Sequence, residues 1–225
     1  MSIRRLGLAA IVLAAATWLV PWPFASWWTG GGYAEVAALR AEVGSGLADF
    51  WALGSGALPP RLDAIVEFWR TFHVAKAVLA GGLFVVLVML ASRLPRWWAA
   101  LAGGAAFVDL LVVIANVQGA LAPLTSVLTF LEPGSPATSP LRAAISSGSS
   151  SPALTALVDD FVRFHWVVAA LTLGIGMALV ITVLRRPRSG HVRVVGVVAA
   201  AAFGILAAAN VSTALDPLPA FAASL

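Results

Sequence analysis

Five stretches of about 20 apolar residues constrain this chain more than anything else in it. They run from Leu6 to about Trp28, Phe72 to Leu94, Trp98 to Leu121, Phe161 to Leu184 and Val192 to Leu215. Each matches the roughly 20 residues that an α-helix needs to cross about 30 Å of hydrocarbon. None alternates polar and apolar residues as a barrel strand would, and in lipid only helices or closed barrels satisfy the backbone. Composition agrees: 60% of the residues are hydrophobic and 11% are charged, with a mean hydropathy of +0.95, against about 25% charged in a soluble domain. The expected fold is all-α: a polytopic integral membrane protein with five transmembrane helices.

Charge placement predicts an orientation. With the N-terminus in the cytoplasm, the inner pieces hold Arg4, Arg5, Arg93, Arg96, Arg185, Arg186, Arg188 and Arg193 and no acid, the pattern that the positive-inside rule demands. The segments are then helix 1 (1–28), an outer loop (29–71), helices 2 and 3 (72–121), a second outer loop (122–160), helices 4 and 5 (161–215) and an outer tail (216–225). Ser2-Ile3-Arg4-Arg5-Leu6 faintly resembles a twin-arginine export signal. Pro21-Trp22-Pro23-Phe24 offers no small-residue cleavage site, however, so helix 1 is expected to be retained.

A net charge of +4 and a pI near 11.0 do not point to nucleic acid, because the basic residues sit at helix ends and form no run. The absence of cysteine excludes disulfides and thiolate metal sites. Thirteen arginines to one lysine suggest a GC-rich, bacterial genome and hence a cell (plasma) membrane.

The outer loops differ. In the first, Val36, Leu39, Val43, Leu47 and Phe50 recur at helical spacing opposite Glu35, Arg40, Glu42 and Asp49, which predicts an amphipathic helix over 33–50, broken at Gly44 and Gly46. The second is rich in Ser, Gly and Pro across 132–140 and 146–152 and is expected to be partly flexible.

The chain also carries an internal repeat. PRLDAIVEFWRTFH from Pro60 and PALTALVDDFVRFH from Pro152 align at an offset of 92, matching Phe72 with Phe164 and His73 with His165. Arg93-Leu94-Pro95-Arg96 matches Arg185-Arg186-Pro187-Arg188, and after a two-residue slip Ala115-Asn116-Val117 matches Ala209-Asn210-Val211. Two crossings per copy predict a parallel repeat, helices 2–3 against helices 4–5 about an axis along the membrane normal. Gly81-Gly82, Gly103-Gly104, Gly174, Gly176 and Gly204 are the expected points of close helix contact.

Polar residues in these apolar segments are the candidate site. His73 and His165, at equivalent outer helix ends, either cap and hydrogen-bond locally or ligate a haem or metal together, a weak set for want of a third ligand. Asn116 and Asn210 are placed to hydrogen-bond them. Lys76 and Asp109 are the single lysine and the single acid deep in an apolar segment, and are expected to pair, forming a polar column with His73 and Asn116; repeat two has Val168 and Phe203 instead. The tryptophans fall at expected membrane boundaries, and Trp22, Trp27, Trp28, Trp51 and Trp69 are candidates for an outer groove taking a lipid or a partner.

No P-loop, HExxH, GxSxG or strand-linked GxGxxG is present. The expected function is that of a non-enzymatic accessory or scaffolding subunit, with the lipid bilayer and other membrane subunits as partners. A carrier or binding protein for a lipid or other hydrophobic substrate is the alternative, and a haem- or quinone-binding redox subunit the second.

Overall fold

The computed structural model describes residues 1–33, 35–131, 134–185 and 190–225. It contains ten α-helices and no strand among those residues. Two compact units emerge: Met1–Leu53 with Ala57–Leu131, and Gly54–Gly56 with Glu132–Leu225.

In the first unit the chain runs through α1 (Ile3–Leu19), α2 (Pro21–Trp28), α3 (Val36–Leu53), α4 (Pro60–Ala91), α5 (Arg96–Leu121) and α6 (Pro123–Leu128). The expected first transmembrane helix is broken. Helices α1 and α2 meet at 53°, because Pro21 has no N–H to give the preceding turn and its ring crowds the carbonyl of Thr17. Helix α4 is 32 residues long and extends the expected second membrane helix, which was to begin at Phe72, back to Pro60 without a break. Its antiparallel partner α5 follows after a short turn whose Arg93 donates to the carbonyl of Met1. The N-terminus and this arginine turn therefore share one end of the unit. The acids Glu42, Asp49, Asp63 and Glu67 belong to the opposite end, on α3 and the first turns of α4.

Helix α3 runs unbroken through Gly44 and Gly46, contrary to expectation. At Gly46 the small residue serves packing: a Cβ there would lie 3.3 Å from that of Leu62, so the glycine lets α3 close on α4. Of the expected apolar stripe of α3, Leu39, Val43, Leu47 and Phe50 are buried, whereas Val36, at the start of the helix, is exposed. Helix α1 lies along α4, with Leu13 against Gly82.

The second unit contains α7 (Ser139–Ser146), α8 (Pro152–Arg185), α9 (Gly190–Leu215) and α10 (Pro217–Ser224), with a 3₁₀ turn at Pro136–Thr138. Part of the expected flexible loop is thus helical, as is the expected tail. The tail's end is tied down: Gly134 donates its backbone N–H to the Leu225 carbonyl at 3.2 Å. The Arg186-Pro187-Arg188 turn lies outside the described residues.

Proline opens α2, α4, α6, α8 and α10 as the first helical residue, where its missing N–H costs nothing and its fixed φ suits the helix. The chain is an all-α, membrane-spanning protein: α4, α5, α8 and α9 are each long and apolar enough to cross a bilayer, and the bent α1–α2 pair makes up to five spans.

Of the glycines expected at close contacts, Gly82 meets Leu13 and Gly176 approaches the Ala200 carbonyl, where a Cβ would stand 3.4 Å away. Gly81, Gly103, Gly104, Gly174 and Gly204 face open space. The tightest approach in α5 is at a glycine outside that set, Gly119.

Candidate functional site

Each hairpin holds one His–Asn pair across its two long helices. In the first, Asn116 donates its side-chain N–H to the Val112 carbonyl one turn back, at 2.7 Å. This turns Oδ1 toward α4, where it accepts from His73 Nδ1 at 2.8 Å. An amide oxygen only accepts, so the proton must sit on Nδ1, and Nε2 of the neutral ring is left as an acceptor. Ser126 of α6 fills that position at 3.2 Å and itself accepts from Trp69 Nε1 at 2.9 Å. The result is a closed chain, Trp69 to Ser126 to His73 to Asn116 to the backbone, with both imidazole nitrogens engaged.

Aromatic rings wall it in. Trp69 stands edge-on to His73 at 4.7 Å and stacks on Phe72 at 4.7 Å. Below the imidazole the chain must be glycine: a Cβ on Gly119 would come within 2.5 Å of His73 Nε2.

The second hairpin repeats the first bond and omits the rest. His165 Nδ1 donates to Asn210 Oδ1 at 2.8 Å, and Asn210 donates to the Leu206 carbonyl at 2.8 Å. Phe161 stands edge-on to His165 at 4.5 Å, in the place that Trp69 takes in the first hairpin. By the alignment, Ser126 corresponds to Ala220 and Gly119 to Thr213. No protein group described here reaches His165 Nε2.

The expected Lys76–Asp109 pair does not form. Three residues on from His73 is about 60° short of a full turn, which takes Lys76 off the α5 face and toward α1. Its Nζ lies 4.1 Å from the ring centroid of Trp18 and 5.4 Å from that of Phe72, a cation–π arrangement with two aromatic rings. Asp109 stays on the α4-facing side of α5, 7% exposed, with Oδ2 buried and without a hydrogen-bond partner. Counting seven residues inward from the His73–Asn116 bond on each helix reaches Ala80 and Asp109, so the acid sits opposite a small residue. The polar column thus reduces to His73 with Asn116; Lys76 and Asp109 stand apart.

The tryptophans also divide. Trp22 is an internal strut, donating to the Tyr33 carbonyl at 2.9 Å and standing edge-on to Phe68 at 5.1 Å. Trp69 belongs to the histidine chain, and Trp51 is half-buried on α3. Trp27 and Trp28 are exposed and cluster with Phe24. Of the five groove candidates, Trp28 lines a cavity of the first unit, one of about 570 Å³ that also takes in Tyr33, Asp63, Glu67 and Phe68. Burial pushes the Tyr33 phenol above its ordinary range; Glu42 adds to the shift and Arg61 opposes it.

A second cavity, of about 610 Å³, lies within the other unit, between α8 and α9. Gly176, Met177 and Val180 line it from α8, and Ala200, Ala201 and Gly204 from α9. Sequence reading missed it, since it arises where small residues on two helices coincide. No group of three or more His, Cys, Asp or Glu side chains able to hold a metal ion occurs among the described residues. Compared with protein-family models, curated proteins and solved structures, the chain matches none at a significant level.

Proposed function

We propose that this protein is a non-enzymatic subunit of a larger membrane complex, docking another membrane protein in the groove between α8 and α9. In this reading the chain crosses a bacterial plasma membrane five times. The N-terminus and arginine turns face the cytoplasm, the tail faces outward, and the two hairpins are copies of one ancestral unit. The observation that carries it is the groove itself: about 610 Å³, with an apolar lining and small residues on both walls. Small residues let a partner helix approach closely in lipid, where packing replaces the hydrophobic effect as the driving force. The closed histidine chain also weighs toward structure: with Ser126 on Nε2, His73 has no lone pair to give an iron, so a paired-histidine haem reading loses one of its two ligands.

Purification from native membranes in mild detergent tests this. A stoichiometric partner is expected, and Gly204→Leu should release it. Gly204 lines the groove and a Cβ there meets open space, so the added side chain takes up groove volume without a clash at its root. The alternative, a binding protein for a lipid or other hydrophobic substrate, uses the same groove, whose lining suits an acyl chain. Lipid retained at one equivalent without protein, and lost in Gly204→Leu, would favour it. A Soret band in the purified protein would revive the haem reading.

A further inference from the structure

The cavity beside Trp28 carries an inference independent of the subunit reading. It forms where the Gly-rich turn after α2 meets the first two turns of α4. Gly30 has φ of +68°, a conformation that suits glycine. A Cβ on Gly32 would run into Ser26, so the backbone presses against α2 and leaves space on its other side. Tyr33 is pinned twice, its carbonyl by Trp22 and its ring edge-on to Phe68 at 5.1 Å. Trp28, 63% exposed, borders the opening.

Into this aromatic frame α4 presents Asp63 and Glu67, four residues apart and hence on one helix face. Glu67 binds Arg70 through Oε2 at 2.9 Å, while Asp63 forms no ion pair among the described residues. Arg61 is taken up by Glu42 at 3.5 Å and Asp49 at 3.9 Å. Of the residues that line the cavity, Asp63 and Glu67 are acidic and none is basic, so its charge balance is negative. Two carboxylates are too few protein ligands for a metal site, and no group of three or more His, Cys, Asp or Glu able to hold one occurs among the described residues. Trp28 and Tyr33, with a carboxylate that forms no ion pair among the described residues, suit a different ligand, a weakly hydrated cation that gains from π-faces and from charge together. The volume, about 570 Å³, is within the range of small-molecule sites.

We propose that this cavity binds a quaternary ammonium group, borne by a lipid headgroup or by a soluble molecule. Purified full-length protein in detergent is titrated calorimetrically with choline and with 3,3-dimethylbutan-1-ol, its neutral isostere. Saturable choline binding is expected, at least about tenfold tighter than that of the isostere, and weakened by salt. Trp28→Leu should weaken it by about three- to tenfold, the cation–π contribution expressed as a ratio, and Asp63→Asn should do so by a similar factor. Gly31→Leu, at a site open to the cavity, should abolish it while leaving the far-ultraviolet spectrum unchanged. Repeating the titration in nanodiscs separates the two sources. Choline excluded by phosphatidylcholine but not by phosphatidylglycerol identifies the headgroup as occupant; equal binding in both identifies a soluble molecule. No saturable binding by the folded protein, equal affinity for the neutral isostere, or choline binding that survives Gly31→Leu would overturn the proposal.

Discussion

The two long hairpins share one histidine–asparagine bond and are finished differently. Each places histidine thirteen residues after the proline that opens its first helix, and each bonds that histidine to an asparagine at 2.8 Å. From there they diverge. The α4–α5 hairpin closes its histidine with Ser126, floors it with Gly119 and buries an acid, Asp109, one layer deeper. The α8–α9 hairpin has Ala220, Thr213 and Phe203 at those positions, leaves one imidazole nitrogen uncovered, and opens an apolar groove instead. The shared bond fixes the register of each helix pair. The unshared residues set what surrounds it, a closed polar knot in one hairpin and apolar surface in the other.

The sharpest way to break this comparison is at the floor of the knot. Gly119→Ala puts a methyl against the His73 ring and should destabilise the protein by about 3 kcal/mol, the upper end of overpacking costs. Thr213→Ala at the matching position, where the side chain is half-buried and its hydroxyl only donates back to the Ala209 carbonyl of its own helix, should change stability by less than about 0.5 kcal/mol. Thermal unfolding in detergent measures both, and equal effects would mean that the first hairpin is no more closed than the second.

Next in size is the buried acid. Asp109→Leu removes a carboxylate whose Oδ2 has no partner, so stability should rise by about 2 kcal/mol, the desolvation penalty of an unsatisfied buried group. A fall in stability would expose a partner for Asp109 in the assembled membrane, and would make the acid a site.

The smallest effect lies in the shared bond. Asn116→Leu strands a half-buried imidazole N–H among aromatic rings and should cost about 1.5 kcal/mol, whereas Asn210→Leu should cost about 0.6 kcal/mol, the average for a polar contact between membrane helices. If the two costs are equal, Ser126 and Trp69 add nothing to the first pair. If Asn210→Leu costs more, the uncovered histidine is the tighter of the two.

Much of this was legible in one dimension. Twenty-residue apolar runs leave the backbone no option in lipid but helices, so the all-α membrane fold followed from composition and length. The rarity of His and Asn in apolar segments flagged both pairs, whereas the expected starts of the second and fourth helices, Phe72 and Phe161, fell inside α4 and α8, which begin at Pro60 and Pro152. Lys76 and Asp109 misled, because shared rarity is not shared direction: three residues from His73 turn Lys76 toward Trp18, and only the packing of α1 on α4 put a ring there to receive it. The glycines misled in the same way. Sequence marks each as small, but a glycine becomes a contact only where another chain segment arrives, at Gly119 under His73 and Gly46 beside Leu62.

What the sequence by itself determined is which segments leave water and which polar residues go with them, since transfer free energy is a property of composition and length. Only the tertiary structure decided which nitrogen of each histidine is covered, where Lys76 ends, and that a ring of aromatics meets Asp63 and Glu67 at one cavity. Those outcomes depend on distances of a few ångströms between residues roughly 30 to 60 positions apart, and hydropathy carries no record of them.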